Sequence, residues 1–87
     1  MSRTPTEIAV TARAMIALAP ALEAPMRAEW AKVEEAISAH ASASKKKWKV
    51  YEVHHLTQHA RLAMLSAFVD GKAPEQCAVE ALKAAGI

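Results

Sequence analysis

Eighty-seven residues with a net charge of +2 are enough for one small domain, and a single cysteine, Cys77, excludes an intramolecular disulfide. Alanine fills 21 positions and glycine only two, Gly71 and Gly86, so the composition favours helices over strands and leaves few places for turns. The apolar runs fall far short of the ~20 residues of a membrane span. The opening Met1-Ser2-Arg3-Thr4-Pro5 has no signal-peptide pattern, which makes the cytoplasm the expected location. Because alanine buries little apolar area, the core is expected to be thin, and a partner or a second copy of the chain is a candidate to complete it.

The first helix is expected from about Pro5 to Ala19. Thr4 can cap it, Pro5 suits its first position, and Glu7 stands three residues after Thr4 as a capping box requires. Ile8, Ala12, Met15, Ile16 and Ala19 then share one face. Pro20 ends or kinks this helix, since an interior proline costs ~3 kcal/mol. The second helix is expected from Pro25 to Ala41. Met26, Trp30, Val33 and Ile37 recur along it at helical spacing, opposite Arg27, Glu29, Lys32, Glu34 and Glu35.

Ser42 to Lys47 reads as a loop. Trp48 to Val53 alternates like a strand, but no second strand is available to pair with it, so helix is the preferred reading, continuing through His54 to Val69. Val53, Leu56, Ala60, Ala63 and Ala67 mark its apolar face, widened by Leu62, Leu65, Phe68 and Val69. A face this broad predicts the central helix. Asp70-Gly71 is the clearest turn, and a fourth helix is expected from Pro74 to about Ala85, with Ala78, Ala81, Leu82 and Ala85 inward and Gly86 as its stop. The expected architecture is therefore all-α: residues 1–87 as a single domain of about four helices, the third of them central.

No glycine-rich phosphate loop or catalytic motif is present. His55 and His59 stand four apart on one helix face, a spacing that can chelate a metal, but a site needs further ligands and the plainer reading is a surface pair. Cys77 among alanines reads as a small buried hydrophobe. No cofactor is expected.

Two stretches are candidates for macromolecular contact. Lys45, Lys46, Lys47 and Lys49, with Trp48 and Tyr51 interleaved, combine cations for phosphate with rings that could stack on bases; residues 45–61 hold five basic side chains against one acidic. The alternative there is a solvated loop followed by core aromatics. The stripe Met26-Trp30-Val33-Ile37 reads as core or as a docking face anchored by Trp30, and Trp48 and Tyr51 are further candidate partner contacts.

Phe68 to Lys72 followed by Ala78 to Ile87 resembles the opening of the DNA-binding domains of phage terminase small subunits, where an Ala-rich helix ends in a similar Ala-Gly turn before the recognition helix. The resemblance spans about 20 residues, and no recognition helix follows Gly86 here. With Pro74–Ala85 as the reading helix instead, Glu75 and Glu80 outnumber Lys83 and repel phosphate. The expected function is accordingly a small non-enzymatic protein-interaction module, similar in style to the inhibitors and adaptors that phages and other mobile elements direct at host proteins. The alternative is a nucleic-acid-binding accessory protein using residues 45–49.

Overall fold

A computed structural model describes residues 3–87. Four helices follow one another: α1 (Pro5–Leu18), α2 (Glu23–Ala43), α3 (Val50–Val69) and α4 (Pro74–Ala84), with a single 3₁₀ turn at Pro20–Leu22 between the first two. No strand occurs among the described residues. The chain is all-α, as its composition and periodicity predict. α3 packs against each of the other three helices, and α4 also packs against α2. The third helix is thus central, as its broad apolar face implies.

Local chemistry accounts for the boundaries. Thr4 Oγ1 accepts the Glu7 backbone N–H at 3.1 Å and caps α1. Pro20 closes that helix, and between α1 and the segment that begins at Pro20 the chain turns through 111°. α2 begins at Glu23, two residues before the expected start at Pro25, and runs on to Ala43. Pro25 is tolerated because it sits in the first turn, where backbone N–H groups have no intrahelical acceptor and a missing one costs nothing. α3 begins at Val50. The Lys49 N–H donates to Glu52 Oε1 at 3.3 Å, so Trp48 precedes the helix instead of starting it.

Both glycines stop helices in the same way. At Gly71 (φ +88°) its own N–H reaches the Phe68 carbonyl and the Lys72 N–H reaches that of Ala67; at Gly86 (φ +76°) the equivalent bonds reach Lys83 and Leu82. These paired bonds define a Schellman cap, whose left-handed residue is most often glycine.

One continuous core draws on all four helices. Ala12 comes from α1, Val33 and Ile37 from α2, Ala60, Met64, Ala67 and Phe68 from α3, and Cys77, Ala78 and Ala81 from α4. Met64 lies four residues beyond Ala60 on the same face and is buried, although the expected face of α3 omits it. Among the described residues no single helix is long and apolar enough to cross a membrane.

Candidate functional site: an arginine-lined groove

α1 and α2 diverge after Pro20, and α3 lies across both. The space left between the three helices is a groove of about 670 Å³. Each helix lines it with one stripe at spacing i, i+3, i+4, i+7, the set that shares a helix face. From α1 the stripe is Ala9, Ala12, Arg13 and Ile16. From α2 it is Glu23, Met26, Arg27 and Trp30, and from α3 it is Arg61, Met64, Leu65 and Phe68.

Every stripe carries one arginine and at least one large apolar side chain. The chain has four arginines and seven lysines; three of the arginines line the groove and none of the lysines does. The arginines are not equivalent. Arg27 is held by Glu23 on its own helix at 2.6 Å. The Arg61 guanidinium lies over the Trp30 ring, 5.5 Å from its centroid. Arg13 pairs with no carboxylate among the described residues. Arg61 likewise pairs with no carboxylate among the described residues, so its N–H donors are available to another acceptor. Met64 and Phe68 are buried in the floor, while Ile16, Met26, Trp30 and Leu65 are half-buried at the walls.

The structure divides the α2 stripe. Val33 and Ile37 are each 1% exposed and belong to the core. Met26 and Trp30 reach the groove. Of these four candidate contacts, only Met26 and Trp30 are accessible from the groove; Val33 and Ile37 are taken up by the core.

The basic segment forms a separate elbow between α2 and α3. Lys46 is engaged within it: its ammonium pairs with Glu52 at 2.6 Å and sits 4.7 Å from the centre of the Trp48 ring, while its N–H donates to Ser44 Oγ. These contacts, led by the Lys46 side chain and the Lys49 backbone N–H, hold the Glu52 carboxyl below its ordinary range. Trp48 is half-buried, edge-on to His40 at 6.2 Å, and its buried indole N–H has no partner among the described residues. Lys45 and Lys47 are exposed and pair with no carboxylate among the described residues, Lys49 lies 6.0 Å from the Tyr51 ring centre, and Tyr51 is 62% exposed. Of the two aromatics, Trp48 anchors the elbow and Tyr51 faces outward.

His54, His55 and His59 are all exposed, and among the described residues no three His, Cys, Asp or Glu side chains gather into a metal-binding group. Cys77 is fully buried, its thiol 3.5 Å from the Lys72 carbonyl, and burial pushes its pKa up.

Sequence reasoning placed Arg27 on the solvated face and did not single out Arg13 or Arg61. The available signal was weak: each lies three residues from a large apolar side chain, Ile16, Trp30 or Met64, which is also how the edge of any amphipathic helix looks. Compared with known protein families, with curated proteins and with solved structures, the chain matches none of them at a significant level.

Proposed function

We propose that this protein is a non-enzymatic interaction module that holds another protein in the groove between α1, α2 and α3. The observation that carries the reading is the convergence of three helix stripes, each pairing an arginine with apolar side chains, around the half-buried Trp30. Tryptophan and arginine are the side chains that most often dominate protein interfaces, because both contribute large contact areas and directed polar contacts. On this reading the chain acts in the cytoplasm as an adaptor or inhibitor, and its partner is a host or cognate protein, in the manner of small proteins of phages and mobile elements.

Three tagged forms test it side by side in nuclease-treated lysate: the unaltered chain, Arg13→Glu, and Lys45→Glu with Lys47→Glu. Arg13 is exposed, so its replacement leaves the core intact. The expected result is one stoichiometric protein retained by the unaltered chain and the lysine variant and lost by Arg13→Glu. Loss on the lysine variant alone would transfer the function to the elbow.

The elbow supports the second reading, contact with nucleic acid. Glu52 and Trp48 engage Lys46, while Lys45 and Lys47 are exposed and Lys49 lies beside the exposed Tyr51. Phosphate contacts release counterions, so this binding would weaken steeply with salt and disappear when the three lysines become glutamate. Titration of a fluorescent single-stranded oligonucleotide at two salt concentrations separates the readings. No binding at low salt removes the second.

A further inference from the structure

We infer that the groove's partner is an amphipathic helix whose apolar face is flanked by carboxylates. The inference rests on the groove being the interaction site and goes further in naming what fits it. Shape argues for a helix. Nearly all backbone groups around the groove are bonded within α1, α2 and α3, and the described residues offer no sheet edge against which an extended segment could pair. An occupant must satisfy its own backbone, which a helix does. The groove is also open, whereas sites for small molecules enclose most of the ligand.

Charge argues for carboxylates. Three guanidinium groups face one carboxylate, Glu23, and that carboxylate is committed to Arg27. Arg13 on α1 and Arg61 on α3 remain, on separate helices, with half-buried Ile16 and Leu65 next to them in the respective stripes. A helix seating Leu- or Phe-type side chains on Met26, Trp30 and Leu65 brings residues at the edges of its apolar face towards Arg13 and Arg61. Glutamate or aspartate there forms two-pronged hydrogen bonds with guanidinium that lysine-type cations do not offer. The mixture of apolar floor and arginine edges suits such a helix better than nucleic acid, whose backbone would present phosphates to Met26 and Leu65.

A displayed library of helical peptides tests this directly. Its members share a leucine stripe at i, i+3, i+4 and i+7, and the flanking positions vary among Glu, Gln and Lys. Selection on the intact protein is expected to enrich Glu at the flanks. The selected peptides, titrated against a Trp48→Phe background that leaves Trp30 as the sole tryptophan to report by its emission, should bind at least about tenfold more weakly to Arg13→Glu with Arg61→Glu. Selection repeated on that doubly reversed variant should enrich Lys instead. This swap also controls for misfolding, because a merely damaged protein would enrich nothing.

Enrichment of Lys or Gln on the unaltered protein, or no enrichment of any peptide, would overturn the acidic helix. So would a homodimer in light scattering that Arg13→Glu with Arg61→Glu dissociates, since the groove would then hold a second copy. Failure here combined with a partner that Arg13→Glu still abolishes leaves the interaction module standing with a different occupant. A captured partner indifferent to Arg13→Glu overturns both readings.

Discussion

α4 buries only small side chains, whereas the large side chains that α1 and α2 turn towards the groove stay half-buried. α4 buries Cys77, Ala78 and Ala81, none bigger than a cysteine. Across α3, the divergent α1 and α2 carry Ile16, Met26 and Trp30, which stay half-buried around an open groove. Side-chain size therefore does not set burial in this chain; helix separation does. Alanine lets α4 approach α3 closely, and close approach completes the packing. The 111° turn at Pro20 prevents α1 and α2 from closing on each other, so their larger side chains remain available.

Five substitutions test that contrast and the helix end beside it. Ile37→Ala should have the largest effect, because it opens a cavity in the core shared by all four helices: a loss of about 2–5 kcal/mol, read as a lowered urea midpoint. Next comes Ala81→Leu, at a fully buried position on α4, where an oversized side chain should cost about 1–3 kcal/mol. Its counterpart Ala9→Leu, on the exposed groove wall, should change stability by no more than about 0.5 kcal/mol. Equal losses at the two sites would mean that the groove is as tightly packed as the α4 side. Gly71→Ala should cost about 1 kcal/mol through its positive φ alone, since nothing lies within 4 Å of an added Cβ, and Gly71→Asn should cost less.

The smallest effect depends on pH. Lys46 and the Lys49 N–H depress the Glu52 pKa in the folded chain. A depressed carboxylate contributes stability that is present above its ordinary value of 4.5 and is lost as pH falls through the lower folded value. Unfolding midpoints followed from neutral pH down through this window should decline more for the unaltered chain than for Glu52→Gln, because the variant has no proton to take up there. Parallel curves would show that the elbow contributes nothing to acid sensitivity.

The fold was largely legible because its signals are local. Thr4-Pro5-Thr6-Glu7, Gly71, Pro74 and Gly86 each act on their own turn of backbone, and all four mark helix ends in the structure. The two misplaced starts share a cause. Pro25 was read as a beginning although the first helical turn accommodates proline at several positions. The helix expected from Trp48 starts at Val50, because Glu52, reaching back to the Lys49 N–H, sets its first turn there.

The groove was much less legible. Met26 and Trp30 stood out with Val33 and Ile37 as one stripe, and periodicity cannot distinguish the half that faces a core from the half that faces a gap. Arg13, Arg27 and Arg61 are up to 48 residues apart along the chain and have no sequence relation that would group them. Within the lysine run, sequence likewise does not tell that Lys46 is engaged with Glu52 and Trp48 while its neighbours stay exposed.

The sequence by itself determined that this chain is helical, where most of its helices stop, and that Cys77, Ala78 and Ala81 of α4 go inside, because propensity, capping and short-range periodicity act within a turn or two of backbone. Only the tertiary structure decided which apolar faces close on each other, which lysines remain unpaired, and that three arginines converge on one groove. Those outcomes depend on the angle at Pro20 and on how closely each pair of helices can approach, quantities fixed by packing between residues far apart in the chain.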